Sequence, residues 1–469
     1  MSNQKRIAAQ PSLPKGTRDF GPEVMSKRTY LLDTIKEVFQ RFGFQPLETP
    51  TMENLSVLTG KYGDEGDQLL YKVLDSGNFL SGTTEEDYRT GTSGLLPKIA
   101  SKGLRYDLTV PFARYVVMNQ HDITFPFRRY QVQPVWRADR PQKGRYREFY
   151  QCDADVVGTD SLLCEAEIIL MLEEVFAQLK LTDLPTGQAG YTIKINDRRL
   201  LSGLVEVLGV PDKETDLLVA IDKLDKIGEE KVLDELRDRG FSDQAIEQLK
   251  PVFRLSGSND EQLTAVAELL KDSSVGQAGV AALREVMDTA RALGSSLEYL
   301  SFDLTLARGL SYYTGAIFEV KANQGSLSSS ISGGGRYDNL TGNFGLPGVS
   351  GVGISFGVDR IYDVLDELGL FPEASQVSTQ VLFVNFDRSL EAQVLPLLSQ
   401  VRRAGVAAEM YPEPVKMKKQ FAYADKKGIP YAVVVGTNEL ASEQYGLKNL
   451  RTGEQEALSL DMIIERVKQ

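Results

Sequence analysis

The segment Trp136-Arg-Ala-Asp-Arg-Pro-Gln-Lys-Gly-Arg-Tyr-Arg-Glu-Phe-Tyr-Gln151 holds the densest chemistry in this sequence. From Arg128 to Glu148 stand seven cations (Arg128, Arg129, Arg137, Arg140, Lys143, Arg145, Arg147) against two anions, Asp139 and Glu148, so the local net charge is 7 − 2 = +5. A guanidinium offers two parallel hydrogen bonds from a planar fork, which suits phosphate oxygens. Pro141 to Gly144 are turn residues, so the spacing predicts a strand, a basic loop and a second strand. The same composition also describes a solvated basic hairpin that binds nothing.

Four further segments carry unusual side chains. In Leu304-Thr-Leu-Ala-Arg-Gly-Leu-Ser-Tyr-Tyr-Thr-Gly315, Arg308 stands among apolar residues. A buried arginine needs a partner, so it points to a pocket, a carboxylate or an anion, unless it sits on the surface at a strand end. Tyr312 and Tyr313 would face opposite sides of a strand, and either suits a core. In Ser330-Ile-Ser-Gly-Gly-Gly-Arg-Tyr-Asp338 the triple glycine lets backbone approach a ligand closely, but taken alone it reads first as a tight turn. It is neither a P-loop nor a dinucleotide fingerprint, since the required lysine and spacing are missing. Gly351 to Leu365 predicts a strand, a glycine turn and a helix with Val358, Ile361, Tyr362 and Leu365 on its apolar face. Arg360 falls in that helix's first turn, where a cation opposes the macrodipole. A residue set against its local preference marks function, unless Asp359 or Asp363 pairs with it. In Leu104 to Tyr115, Asp107 and Thr109 would share one face of a strand. A carboxylate beside a hydroxyl suits an ammonium group, and it equally suits an Asp-Thr turn before Pro111.

The surrounding elements set limits. A helix is predicted from Pro22 to Phe42, with Leu31, Ile35, Val38, Phe39 and Phe42 on one face and Gly43 as its stop. Phe44 to Pro50 reads as extended, because prolines exclude a helix. Residues 60–103 read as strand fragments around a long loop, loosest from Asp75 to Gly94. Residues 104–117 and 127–157 are strand-like, and Leu162 to Leu179 is a strong helix. Charged helical stretches fill Pro211 to Leu300, among them Lys223 to Arg239 and Gln262 to Leu270. Strand signals return until Phe356. Phe371 to Ser378 reads as a linker. Beyond it strands (381–385, 407–411, 431–435) alternate with helices (390–404, 416–427), a small α/β domain.

Composition excludes several classes. The 469 residues allow two to four domains. Charged residues at 25% and hydrophobic residues at 42% describe a globular protein. The one histidine, His121, rules out a multi-histidine metal site and leaves a Ser-His-Asp triad without support. Cys152 and Cys164 alone exclude a disulfide framework. No run approaches the ~20 apolar residues of a membrane span and no secretory signal is visible, so a reduced cytoplasmic setting is expected. A net charge of −12 repels polyanions at long range, so only a local basic surface would bring nucleic acid to this chain.

Taken in order, these segments resemble the class II aminoacyl-tRNA synthetases and, within them, the histidyl-tRNA synthetase family. The resemblance runs from Lys15-Gly-Thr-Arg-Asp-Phe20 to the C-terminal domain. Phe44–Thr51 resembles motif 1, Arg137–Gln151 motif 2 and Gly351–Leu365 motif 3. Leu306-Ala-Arg-Gly-Leu-Ser-Tyr-Tyr313 and Ser332-Gly-Gly-Gly-Arg-Tyr-Asp338 look like the two segments peculiar to the histidine enzymes. The resemblance implies an α+β class II core, an antiparallel sheet flanked by helices, with a helical insertion and a C-terminal α/β anticodon-binding domain. The implied division is 1–205 and 301–370 for the core, 206–300 for the insertion and 377–469 for the anticodon domain, where Lys416, Lys418, Lys419, Lys426 and Lys427 supply a basic region. It implies a homodimer built on motif 1, with ATP, Mg²⁺, histidine and histidine tRNA as partners.

Roles carry over residue by residue. Arg137 would grip the α-phosphate, Arg145 and Arg360 the terminal phosphates, and Arg308 the α-phosphate and the substrate carboxylate. Mg²⁺ would shield the pyrophosphate. Asp107, Thr109 and Gln151 would hold the α-ammonium, Asp155 and Tyr313 the imidazole, and Tyr312 would wall the site. Gly333 to Gly335 would form its floor, and Arg140 and Gln142 would touch the acceptor end of tRNA. Ser311 stands where many members carry Asp, Asp107 and Asp155 are one methylene shorter than the Glu of some members, and Ser355 replaces a common motif 3 glycine. A non-catalytic synthetase-like regulatory subunit of histidine biosynthesis is the rival reading. It typically lacks the extra domain that 377–469 supplies.

Overall fold

The computed structural model describes residues 10–468 apart from 183–186, 222, 308–311, 328 and 373–378. These fall into two compact units, residues to Asp19 with Leu31–Leu370, and Phe20–Tyr30 with Phe371 to the C-terminus. No helix of the described residues is long and apolar enough to cross a membrane.

The strands of the first unit are β1 (Gln45–Pro46), β2 (Met52–Asn54), β3 (Lys72–Val73), β4 (Lys102–Leu104), β5 (Phe127–Trp136), β6 (Glu148–Val157), β7 (Tyr191–Asp197), β8 (Leu300–Phe302), β9 (Ala316–Ala322), β10 (Ser332–Tyr337) and β11 (Gly351–Gly357). Eight of them form one sheet in the order β1-β5-β6-β11-β10-β9-β7-β8, while β2-β4-β3 make a small separate sheet. The inner pairs are antiparallel, as expected. The edge pairs β1–β5 and β7–β8 are parallel, which makes the sheet mixed. Parallel neighbours need a long crossover, and the helices of residues 198–292 provide it between β7 and β8.

The sheet has one apolar and one polar face, and the period-2 alternation of its strands writes both. Cys152, Ala154, Val156, Ile193, Ile195, Phe318, Val320, Val352, Ile354 and Phe356 are all buried. The Phe356 ring meets Phe39 of the Pro22–Arg41 helix and Phe176 of the Leu163–Gln178 helix, with centroids 5.7 and 5.9 Å apart. Both helices were legible from their apolar stripes. Residues between the apolar positions project to the other side. There lie Arg129, Gln131 and Gln133 on β5, Gln151, Asp153 and Asp155 on β6, Gly353 and Ser355 on β11, and Gly333, Gly335 and Tyr337 on β10.

Three expectations need correction. The triple glycine is no turn: Gly333, Gly334 and Gly335 run through the middle of β10. A Cβ on Gly334 would fall 2.0 Å from the Gly353 carbonyl oxygen, so the glycine serves close strand approach. Residues 104–117 are not strand throughout, because a helix spans Thr109–Met118. Its β-branched and aromatic residues imitated a strand. Pro111 instead sits in the first helical turn, where its missing N–H costs nothing, and Asp107 Oδ1 accepts the Val110 N–H at 3.1 Å. The loop expected from Asp75 to Gly94 contains a helix at Glu85–Arg89, followed by another at Thr92–Ile99. The first starts at a Thr84–Asp87 capping box. Neither helix buries a residue, so neither left an apolar stripe in the sequence.

Between β7 and β8 the chain is helical, as the Leu- and Ala-rich pattern requires. Gly228, at φ +84°, separates two helices within Lys223–Arg239. The Ser274–Ala292 helix packs on both the Leu163–Gln178 and Arg198–Val207 helices. Of the linker, 373–378 lie outside the described residues.

The second unit holds β12 (Val381–Phe383), β13 (Ala408–Met410), β14 (Tyr431–Val434), β15 (Tyr445–Asn449) and β16 (Gln455–Leu458), ordered β13-β12-β14-β15-β16. Val381 and Phe383 pack with Val394, Leu398, Val401, Ile463 and Val467 on one face. Leu382 packs with Ala424 and Ile429 on the other, so helices cover both sides. Buried Gln420 binds both the N–H and the carbonyl of Asn385, clamping the Met417–Lys426 helix to the chain just after β12. Lys416, Lys418, Lys419 and Lys426 are exposed, whereas Lys427 is paired with Glu409 at 2.8 Å. β15, β16 and the Leu460–Lys468 helix were not expected from the sequence.

Candidate active site

The polar face of β5, β6, β11 and β10 collects most of the singled-out residues. Asp107 arrives from the turn before the Thr109–Met118 helix and is 1% exposed. Its Oδ1 accepts Tyr62 Oη–H at 3.0 Å and its Oδ2 accepts Tyr312 Oη–H at 3.2 Å. Burial pushes its carboxyl above the ordinary range, while the Val110 N–H, Arg137 and the tyrosines hold it back. Thr109 opens that helix, and its hydroxyl faces the Tyr312 phenol and holds back that phenol's rise. Asp107 and Thr109 therefore meet around Tyr312 through a helix start and not through a shared strand face.

Tyr312 and Tyr313 do not lie in a strand. Their rings meet edge to face at 5.3 Å, and Tyr312 also meets Tyr337 at 6.0 Å. Gly335 makes room for Tyr313, since a Cβ there would stand 3.2 Å from its ring. Burial drives both phenols upward, with Asp107 and Asp155 as further causes, so they stay protonated and able to donate.

Asp155 is held from two sides. Arg129, fully buried, lies 2.9 Å from Oδ2, and Tyr337 Oη–H donates to Oδ1 at 2.6 Å. Burial raises this carboxyl and Arg129 opposes the rise. Opposite it stands Gly353, where an added Cβ would lie 2.1 Å from Asp155 Oδ1. Asp155 is too short and too well anchored to step aside. Gly353→Ala is thus expected to strain the contacts of Asp155 with Arg129 and Tyr337 and to cost about 1–3 kcal/mol of stability, the usual scale of overpacking a closed site, read by chemical denaturation.

Arg137 stands at the rim of this face. Its Nε donates to the Tyr106 carbonyl at 3.1 Å, and its guanidinium lies over the rings of Tyr106 and Phe149, at 4.2 and 5.2 Å. The basic loop that follows is a real hairpin, closed by Gln142–Arg145 backbone bonds with Gly144 at φ +71°. Arg360 reaches back to it from the first turn of the Val358–Glu367 helix, donating from Nε to the Gly144 carbonyl and from Nη1 to the Ser330 carbonyl. Arg145 is exposed and 3.6 Å from Asp139, and Arg140 and Gln142 are exposed on the loop. Arg18 of Lys15–Phe20 stacks on Tyr146 and bonds Asp359, so the N-terminal segment ties the hairpin to that helix.

The structure also divides the sequence's basic cluster. Arg128 pairs with Glu167 and Arg129 with Asp155, so neither belongs with the cations of the loop. Arg308 and Ser311 lie outside the described residues. Sequence reasoning missed Tyr62, Tyr106, Arg129 and Asp153 and gave Tyr337 no role. The signal for the strand residues was present: polar residues at every second position (129, 131, 133 and 151, 153, 155) of otherwise buried strands.

Comparison with known proteins shows the family. The family profile described as histidyl-tRNA synthetase matches residues 99–361, and the profile of the anticodon binding domain matches residues 380–469. A protein named histidine–tRNA ligase from Cytophaga hutchinsonii is 57% identical over 98% of this chain and 99% of its own length. One of the same name from Phocaeicola vulgatus is 54% identical over 98% of this chain and 100% of its own. The crystal structure of histidyl-tRNA synthetase from Nostoc sp. PCC 7120 superposes with a TM-score of 0.83 at 33% identity, covering 98% of this chain and 99% of that one.

Proposed function

The chain belongs to the histidyl-tRNA synthetase family and is a histidine–tRNA ligase, and on that premise we propose how its residues divide the work. In the first step a carboxylate oxygen of histidine attacks the α-phosphorus of ATP, and the bond to pyrophosphate breaks. This gives histidyl-adenylate. In the second, a terminal ribose hydroxyl of tRNA attacks the acyl carbon and AMP leaves. Neither step needs a protein nucleophile; both need positioned charge.

Arg137 grips the α-phosphate, Arg360 and Arg145 take the terminal phosphates, and Arg308 bridges the α-phosphate and the substrate carboxylate. Asp107, Thr109 and Gln151 hold the ammonium. Asp155, pinned by Arg129 and Tyr337, faces the imidazole with Tyr313, while Tyr312 walls the pocket. An imidazole offers one donor and one acceptor at fixed angles. A pocket pairing both rejects analogues that leave a buried partner bare. Among the described residues no three His, Cys, Asp or Glu side chains converge as a metal site. Magnesium would shield the charge of the departing pyrophosphate. Arg140 and Gln142 on the exposed loop, and the exposed lysines of the Met417–Lys426 helix, meet tRNA phosphates. We place the enzyme in the cytoplasm as a homodimer formed through Phe44–Thr51. The fully buried Arg105 holds that segment by donating to the Thr49 and Pro134 carbonyls.

The observation that carries this reading is the convergence of Asp107, Asp155, Gln151 and the tyrosines on one face of the sheet, with Arg137 at its rim. ATP–pyrophosphate exchange tests it across the standard amino acids. Exchange with histidine alone is expected. A folded protein that supports no exchange would revive the regulatory reading, and exchange with another amino acid would move the chain to a different synthetase.

A further inference from the structure

Gln151, Asp153 and Ser355 lie together on the floor of the site. Gln151 and Asp153 are two apart on β6, and Ser355 of β11 stands opposite Asp153 in the register. Gln151 Nε2 donates to Ser355 Oγ at 2.9 Å, and the Ser355 hydroxyl faces Asp153 across the β6–β11 pair and favours its charged form; Asp153 is 2% exposed, and its Oδ1 has no hydrogen-bond partner among the described residues. On the other flank Gln131 gives its amide hydrogens to Thr49 and Gln133. An ionised carboxylate only accepts. The serine proton must therefore point to Asp153, and the serine oxygen is left to accept from Gln151. This ordering turns the Gln151 amide one way. Its Oε1 is buried and has no hydrogen-bond partner among the described residues. A buried acceptor left bare is costly, and an ammonium group supplies the missing donor.

We propose that Asp153 and Ser355 are a positioning pair that locks the Gln151 side-chain amide with its oxygen toward the ammonium of histidine. This rests on the reading above that Gln151 holds the ammonium. It gives a task to Ser355, whose hydroxyl would otherwise only accept from Gln151. The charged groups around Asp153 are Arg129 from β5, Asp155 from β6 and Asp107 from the segment before the Thr109–Met118 helix. Burial pushes Asp153 up to about 7, and Arg129 opposes that rise. Once protonated, Asp153 can donate to Ser355, whose proton then turns to Gln151. The amide flips, and its NH₂ meets the ammonium.

Asp153→Asn imitates that reversed state at constant shape. The test compares histidine with 3-(imidazol-4-yl)propionate, which keeps the ring and carboxylate but lacks the amine. Affinities come from KM and competitive Ki in pyrophosphate exchange, and thermal unfolding is followed alongside. Asp153→Asn is expected to weaken histidine by about tenfold to a hundredfold, the scale of one lost charge-assisted hydrogen bond, and to change the amine-free compound less than twofold. Ser355→Ala should act in the same direction, and the double variant should be no worse than Asp153→Asn alone. In the wild type, lowering the pH from 8 to 6 should reduce the preference for the amine, and Asp153→Asn should not show that trend. Equal losses for both compounds, or none, would overturn the pair. If Asp153→Asn does not fold, Ser355→Ala decides by the same comparison. Gln151→Ala separates the two layers. If it weakens both compounds equally, the ammonium reading fails; if it is selective while the pair's variants are not, only the present proposal fails.

Discussion

Replacing Arg137 with alanine is expected to lower histidine-dependent pyrophosphate exchange by about 10²–10³-fold, the usual consequence of removing one preorganised donor from developing charge, while leaving the thermal midpoint nearly unchanged. The geometry explains the size. Two aromatic rings and one backbone carbonyl fix the guanidinium, and its backbone N–H is tied to the Arg147 carbonyl at 3.0 Å. Among the described residues its two terminal nitrogens make no hydrogen bond. The fork is thus oriented before ATP arrives and has two donors to give. Lysine should rescue poorly, because a point charge lacks the second parallel bond. A second signature follows from Asp107, whose carboxyl Arg137 pulls down against burial. Without that cation Asp107 takes up its proton at higher pH, so the variant's KM for histidine should deteriorate more steeply than the wild type's as pH falls. A loss under threefold, or one that appears only as lowered stability, would remove Arg137 from the nucleotide site.

The arginines also show where the sequence was legible. Arg137, Arg145 and Arg360 could be singled out because each sits beside turn glycines or against a helix dipole, and local pattern reaches that far. Arg129 could not be told from Arg128, its neighbour in the same basic run. One is completely buried against Asp155 and the other half-buried against Glu167. Only the strand's facing decides, and facing depends on register with β6 and β11. The Pro22–Arg41 and Leu163–Gln178 helices were legible because an apolar stripe is a local property. The Thr109–Met118 helix was not, since its residue types favour a strand and the start signal lies in a bond from Val110 to Asp107. The tyrosines around Asp107 come from positions 62 and 312, and no spacing rule joins residues that far apart.

Arg336 makes the converse case. It lies in the Gly-Gly-Gly-Arg-Tyr-Asp segment that marked the family, yet in β10 it alternates with Gly335 and Tyr337, which face the site. Its guanidinium points the other way and binds buried Glu165 of the Leu163–Gln178 helix through two nitrogens, Nη2 at 2.8 Å, with Ser350 and the Thr159 carbonyl as further acceptors. Glu165→Ala should therefore cost about 3–5 kcal/mol, because it leaves an uncompensated buried cation, and chemical denaturation should read this directly. Glu165→Leu combined with Arg336→Met removes both charges at similar volume and should recover most of that stability. The folded fraction of the double variant should keep a histidine KM near the wild-type value, since neither side chain reaches the substrate face. If stability returns but KM for histidine stays tenfold or more above the wild type, then Arg336 acts on the pocket through Gly335 and Tyr337, and its place in the family segment reflects substrate binding as well as folding.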